Sequence, residues 1–310
     1  MCECDKKYMR RALLLASYGA GHVSPNPMVG AVIVAPDGRI IGEGFHRRYG
    51  EAHAEVNAVR SVSAEDRNLL KESTVYVTLE PCSHYGKTPP CAAMLCELHV
   101  KRVVVGTGDP NPKVSGRGIR MLREAGIEVT ENCLQEECLA INERFFTAQT
   151  KRRPWILLKW AETADGRMAN PDGSPLTISS PSTLALMHAE RAKCDAIIVG
   201  TNTLLSDNPS LSTRFWPGNS PRPVMFDSPH LKNPDLRQKL NISRRNPIIL
   251  DPDIDLEHNM HILFEKHGIT SLMVEGGRTL LDSFISQELY DRIRTERVLK
   301  FLKKHFLMYL

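Results

Sequence analysis

The sequence predicts two consecutive α/β domains. Three observations carry that expectation. Short β-rich runs alternate with runs of helical apolar spacing through both halves, the pattern of a layered α/β sandwich. The 310 residues are 42% hydrophobic, enough to bury two separate cores. Between the halves, "LAINERFFTAQTKRRPW" ends a helix in a basic, proline-containing joint and then starts a new strand, which places the boundary near residue 150 and the domains at 1–150 and 151–310.

In chain order, "YMRRALLLASYG" (8–19) has helical spacing, and "MVGAVIVAP" (28–36) is a β-rich run stopped by a "PDG" turn. "IIGEGFH" returns as the second strand of a hairpin. "HAEVNAVRSV" (53–62) reads as a helix, "STVYVTLE" (73–80) as a strand, "CAAMLCELHV" as a helix and "KRVVVGT" as a strand. A Gly-rich loop, a helix over 116–125 and the strand "GIEVT" complete the first half. In the second half "WILLKWAET", "CDAIIVGTN", "RPVMFD", "NPIILD" and "ITSLMVEGG" are strands, with helices over 181–192, 257–267 and 278–286. Residues 228–246 read as loop.

Composition narrows the function classes. A net charge of +4 gives no basic stripe for nucleic acid and no disordered acidic tail. Nothing approaches eighteen consecutive apolar residues, so no membrane span is expected. The polar start "MCECDKKYMRR" lacks the apolar core of a signal peptide, which makes the cytoplasm the expected compartment. There the eight cysteines stay reduced. Cys96, Cys133, Cys138 and Cys194 read as small buried hydrophobes and Cys2 and Cys4 as a mobile terminus.

His53, Glu55, Cys82 and Cys91 form the first constellation. "HAE" opens a helix, "PC" follows a strand, and Cys91 opens the next helix after two prolines, so all can converge at one side of a sheet. One imidazole and two thiolates are a three-ligand zinc set that leaves the fourth position for water, as a catalytic zinc requires. The electropositive helix start favours thiolate at Cys91. Glu55, two residues past His53, can take a proton from that water and deliver it to a leaving amine. This is the logic of zinc nucleobase deaminases, with H-x-E and P-C-x-x-C. Here, however, eight residues separate the cysteines.

"SPNPMVGAVIV", "HAEVNAV", "TLEPCSHYGKTPPC" and "GTGDPNPKVSGRG" together resemble the bifunctional riboflavin biosynthesis family, a diaminohydroxyphosphoribosylaminopyrimidine deaminase fused to a 5-amino-6-(5-phosphoribosylamino)uracil reductase. The resemblance runs to about residue 294. It implies a cytidine-deaminase-like α/β/α sandwich followed by a dihydrofolate-reductase-like α/β domain, with Zn2+ and NADPH as cofactors and phosphoribosylated pyrimidines as substrates. It implies zinc on His53, Cys82 and Cys91, with Glu55 as proton shuttle. Asn26, His46, Lys87, Asp109 and Asn111 would hold the first substrate. Read from the residues alone, Lys87 is a solvated loop lysine before it is a phosphate contact, and "DPNP" is equally a turn.

"ILLKWAETADGRMA", "HAERAKCDAIIVGTNTLLSDNPSLSTR" and "MVEGGRTLLDSF" resemble the family's reductase half. By that resemblance Ala161, Thr203 and Asp207 contact NADPH, and Arg191, Leu211, Arg214 and Glu275 line the substrate pocket. Gly276 and Gly277, between a strand and a helix, can let a phosphate approach backbone N–H groups. Arginines suit a phosphorylated substrate. Alternatively, Arg191 pairs with Glu190 or Asp195 on a helix surface, and Asp207 only caps a turn. "TERVLKFLKKHFLMYL" (295–310) departs from the family, has the spacing of a basic amphipathic helix, and makes the reductase look shortened at its C-terminus. A second reading is therefore an active deaminase carrying a degenerate, non-catalytic reductase domain. A third, a nucleic-acid-editing deaminase, is disfavoured by the mild charge and the lack of aromatic–basic interleaving. Oligomeric state is not legible, and a homo-oligomer stays open.

Overall fold

The computed structural model describes residues 2–84, 89–110, 115–168, 170, 176 and 178–298. The chain divides into two compact units, Met1–Lys151 and Arg152–Leu310.

The first unit contains α1 (Glu3–Ser17), β1 (Gly30–Val34), β2 (Ile40–Phe45), α2 (Ala54–Ser61), β3 (Thr74–Val77), α3 (Cys91–Glu97), β4 (Arg102–Val105), α4 (Arg117–Glu124), β5 (Glu128–Thr130), α5 (Gln135–Ile141) and α6 (Glu143–Lys151). Among the described residues its sheet has five strands in the order β2-β1-β3-β4-β5. β1 runs antiparallel to β2 and β3, and β3, β4 and β5 are parallel. Side chains alternate across a strand, so each run feeds two cores. Ala31, Ile33, Val75, Val77, Val103 and Val105 pack with Ala54 and Ala58 of α2, Leu95 of α3 and Leu122 of α4. Val32, Val34, Tyr76 and Val104 pack with Tyr8, Met9 and Ala12 of α1 and with Cys138 of α5. The result is an α/β/α sandwich. Because β3 and β4 are parallel, the loops that follow them leave the sheet at the same end, where α/β sheets place ligands.

The second unit contains β6 (Trp155–Thr163), α7 (Pro181–Ala192), β7 (Ala196–Ile198), α8 (Thr201–Asp207), β8 (Arg222–Phe226), α9 (Pro234–Lys239), β9 (Ile248–Leu250), α10 (Leu256–His267), β10 (Ser271–Glu275), α11 (Arg278–Ser286) and β11 (Arg292–Val298). Its six described strands are ordered β11-β6-β10-β7-β8-β9, and every pairing is parallel. One face packs Ile156, Leu158, Ile198, Leu272 and Val274 against Leu263 of α10 and Phe284 of α11. The other packs Trp155, Leu157, Ile197 and Met273 against Met187 of α7 and Leu204 of α8.

Three expectations are corrected. Residues 295–298 are not the start of a helix; they belong to β11, which pairs with β6 from Arg292↔Leu157 to Val298↔Thr163. The open backbone groups of β6 reward a strand there more than weak helical spacing rewards a helix. Residues 299–310 lie outside the described residues. Cys2 and Cys4 are not a loose end: Cys2 caps α1, its Sγ accepting from Asp5 N at 3.3 Å, and Cys4 lies within the helix. The stretch 228–246 contains α9, capped by Asn233, and two short 3-10 turns. Cys133, Cys138 and Cys194 are buried, and Cys96 is half-buried. Among the described residues no helix is long and apolar enough to cross a membrane.

Candidate active sites

His53 is the N-cap of α2. Cys91 is the first residue of α3, after Pro90 at its N-cap. Cys82 lies in the loop that leaves β3 and is tied to α3 by Ala92 N donating to Cys82 O at 3.1 Å and Cys91 N donating to Cys82 Sγ at 3.3 Å. Strand end and helix start are thereby locked together, and the three side chains converge. Their donor atoms lie within 4.8 Å of one another. His53 Nδ1 is 3.6 Å from Cys82 Sγ and 3.5 Å from Cys91 Sγ. With Zn–S near 2.3 Å and Zn–N near 2.0–2.1 Å, a tetrahedral N···S edge is about 3.5 Å. The donor set fits zinc in chemistry and in spacing.

Glu55 lies in the first turn of α2 and is only 3% exposed. Burial pushes its carboxyl up to about 7, with the Cys82 charge adding to the rise and His53 opposing it. Hydrogen bonding from Cys91 and His53 pulls the Cys82 thiol well below the usual thiol range, while the Cys82 contact and burial push Cys91 up. The Cys82 bond raises His53 to about 8.

His46, buried, lies beside His53 with ring centroids 5.5 Å apart. Its Nδ1 donates to Ala52 O at 3.2 Å, which leaves Nε2 to accept from Asn26 Nδ2 at 3.2 Å. Burial lowers its pKa, in keeping with that neutral tautomer. Two residues further on, the backbone of Met28 is held by Asn142, whose Oδ1 accepts from Met28 N and whose Nδ2 donates to Met28 O, both at 2.8 Å. Asp109 lies in the loop after β4. Lys87 and Asn111 lie outside the described residues.

In the second unit, Arg191 of α7 and Glu275 at the end of β10 bind each other through two bonds of 2.7 and 2.6 Å, and Arg191 Nη1 also donates to Ser212 O at 2.9 Å. Of the nearby acids, Glu190 pairs with Lys193 at 2.9 Å and Asp195 accepts from Thr270 and Ser271. Burial raises and Arg191 lowers the Glu275 carboxyl, with the net effect downward. Thr203 on α8 faces the Gly276–Gly277 turn, where φ is +69° and +75°. A Cβ on Gly277 would meet Thr203 Oγ1 at 3.3 Å and Gly200 Cα at 3.6 Å, so bare backbone before α11 and α8 is what keeps this cradle open. That cradle fits a dinucleotide phosphate. Ala161 is half-buried on β6 opposite Glu296, and Asp207 is exposed at the end of α8. Arg214 lies over the Phe215 ring and donates to Ser210 Oγ at 3.0 Å. The Leu211 side chain is in the core, which leaves only its backbone, at φ +51°, to line a pocket.

Two further charged residues, Lys159 of β6 and Glu296 of β11, meet here. Lys159 lies opposite Glu275 in the β6–β10 register and 3.8 Å from Glu296 Oε1, and Glu296 Oε2 accepts from Ser179 Oγ at 2.6 Å. A lysine in an apolar strand could have been noticed; its two carboxylate neighbours come from strands more than a hundred residues away.

Fold and site define a two-part enzyme, with a zinc site of the nucleobase-deaminase type on one α/β/α sandwich and a nucleotide-dependent reductase on the other. Comparison with known proteins agrees for both parts. Residues 2–107 match the cytidine and deoxycytidylate deaminase zinc-binding region, and residues 154–296 match the RibD C-terminal domain. The chain is 39% identical to the riboflavin biosynthesis protein RibD of Aquifex aeolicus, covering 94% of this chain and 86% of that protein. A diaminohydroxyphosphoribosylaminopyrimidine deaminase/5-amino-6-(5-phosphoribosylamino)uracil reductase from Thermotoga maritima superposes with a TM-score of 0.84 at 35% identity, over 98% of this chain and 89% of that one. RibD of Acinetobacter baumannii superposes equally, at 0.84 and 33% identity, over 97% and 88%. The chain belongs to the RibD family of riboflavin biosynthesis proteins, and it carries both the deaminase and the reductase domain of that family.

Proposed function

We propose that the first unit hydrolytically deaminates 2,5-diamino-6-(5-phosphoribosylamino)pyrimidin-4-one, and that the second reduces the ribosyl group of the product to ribityl with NADPH. The observation that carries this reading is the convergence of His53, Cys82 and Cys91 beside buried Glu55, in a chain similar to RibD proteins over both halves.

His53, Cys82 and Cys91 would hold zinc, which supplies Lewis acidity that makes water nucleophilic near neutral pH. Glu55 takes the proton of the attacking water on its carboxylate and delivers it to the departing amine. Its side chain is buried at the site, where a proton shuttle has to sit, rather than turned to solvent. Asn26, fixed by His46, would orient the pyrimidine, with Asp109 and the residues at 87 and 111 holding the rest of the substrate.

In the second unit Thr203 and the Gly276–Gly277 turn would bind NADPH, which supplies the hydride, with Ala161 and Asp207 as further contacts. Arg214 and the Arg191–Glu275 pair would bind the phosphoribosyl part, with Lys159 adding a cation in register with Glu275. These groups are present together, which favours a working reductase over a degenerate scaffold. The thiolate ligands and the need for NADPH favour the cytoplasm.

The test is a coupled assay on the 310-residue chain. Ammonia release from the first substrate, followed by NADPH oxidation with the deaminated product, is the expected result. Ammonia without NADPH oxidation would sink the reductase half; no ammonia from zinc-loaded protein would sink the deaminase half. Glu55→Gln should keep zinc and lose about 10²–10⁴-fold in deamination.

A further inference from the structure

Glu80, in "TLEPC", is 3% exposed, and among the described residues it has no Lys or Arg ion-pair partner. Its carboxylate is instead saturated by backbone. Oε2 accepts from Asp109 N at 3.3 Å and Gly116 N at 3.0 Å; Oε1 accepts from Gly118 N at 2.9 Å and Ile119 N at 3.3 Å. Four N–H donors fill the four lone-pair directions of a carboxylate. Three of the donors are at the start of α4, whose own N-cap, Gly116, offers no side chain. The cap therefore comes from a residue 36 positions away in sequence, where a serine or aspartate at 116 would have served locally.

The fourth donor explains the detour. Asp109 is not in α4; it lies in the loop after β4, and its amide shares one oxygen with the amide of Gly116. Glu80 is also two residues before Cys82, joined to it through the rigid Pro81. Backbone contact tightens the same junction, since a Cβ on Gly118 would lie 2.0 Å from Pro81 O. The loop that carries Asp109 is thus referenced directly to the segment that carries a zinc ligand.

We propose that Glu80 is a positioning residue for deamination: its carboxylate holds the Asp109 loop in register with Cys82, so that the substrate is presented to the metal site. The proposal rests on the deaminase reading above and deepens it. A glutamine at this position keeps one accepting oxygen and turns an NH2 toward two N–H groups, so it releases one of the two ends. Aspartate keeps the charge with a shorter reach.

The experiment compares wild type, Glu80→Gln and Glu80→Asp as full chains loaded with zinc. Zinc per chain, deaminase kcat and KM, and NADPH oxidation with the deaminated product are measured together. Glu80→Gln should keep its zinc and its reductase rate while deaminase kcat/KM falls about tenfold or more, the loss carried by KM; Glu80→Asp should recover part of it. Unchanged deaminase KM would reduce Glu80 to a helix cap and overturn the proposal, as would a loss of activity that merely tracks a loss of zinc. If Glu80→Gln does not fold, Gly116→Ala strains the same loop end, where φ is +71°, without touching the carboxylate, and the same rise in KM is required. Wild-type ammonia release tests the deaminase reading itself, so the two can fail separately.

Discussion

Replacing Gly44 with alanine would drive a methyl group into the helix that carries Glu55 and starts at His53. Gly44 lies on β2, and α2 packs on it backbone to backbone. An added Cβ would lie 2.3 Å from Ala58 N, 2.4 Å from Ala54 O and 2.7 Å from Asn57 C, whereas ordinary contact starts at 3.4 Å. Gly42, on the same face of the strand, leaves a Cβ only 2.6 Å from Ala58 O, so the helix has no free groove to slide along. None of these atoms is the end of a flexible side chain. α2 must therefore retreat by about 1 Å, while metal–ligand distances tolerate about ±0.2 Å. Overpacking of this kind costs about 1–3 kcal/mol in stability. A misplacement of about 1 Å also costs roughly 10²-fold in rate. Gly44→Ala should lose zinc on dialysis against a chelator and release ammonia about a hundredfold more slowly, while NADPH oxidation by the second unit is unchanged. Full zinc occupancy with a wild-type deaminase rate would refute the argument that this glycine contact sets the position of His53 and Glu55.

Cys82→Ala removes one of three donors and should abolish stoichiometric zinc in metal analysis; unchanged zinc would reject the ligand set. Asp291→Ala should lower stability by about 3–5 kcal/mol in urea denaturation, because it strands Arg153, which is buried with it and bound to it at 2.6 and 3.1 Å. A shift under about 1 kcal/mol would show that this pair is not what fastens the start of β6. Asp5 gives a pH dependence. Burial by itself would raise its carboxyl, but hydrogen bonds from Arg102 and Tyr76 outweigh burial and hold it below the usual carboxylate range. Its contribution is therefore present above the unfolded carboxyl pKa and is lost as pH falls through the folded one. The stability gap between wild type and Asp5→Asn should narrow in acid; a gap constant with pH would contradict it.

The alternation of apolar runs fixed both sandwiches in advance, because period-2 burial on strands and helical spacing between them are local properties that survive folding. The zinc set was legible for a related reason: His53, Cys82 and Cys91 each sit at an element end, and element ends of parallel strands and their helices meet on one side of a sheet. What stayed hidden depends on partners distant in sequence. Nothing around Glu80 announces that four amides near residues 109–119 will surround it, and nothing around Arg191 selects Glu275 over nearby Glu190 or Asp195. The strand character of 295–298 was hidden too, since only the open edge of β6 makes a strand better than a helix there. Sequence alone determined the two α/β domains and the grouping of His53, Cys82 and Cys91 with Glu55, because each is written in residue type and local spacing. Tertiary structure alone decided how Asn26, His46 and Asp109 are held, that Lys159 meets two carboxylates, and that bare glycine faces admit α2 and keep the Gly276–Gly277 cradle open. Those outcomes turn on distances across the fold, and a linear spacing does not contain them.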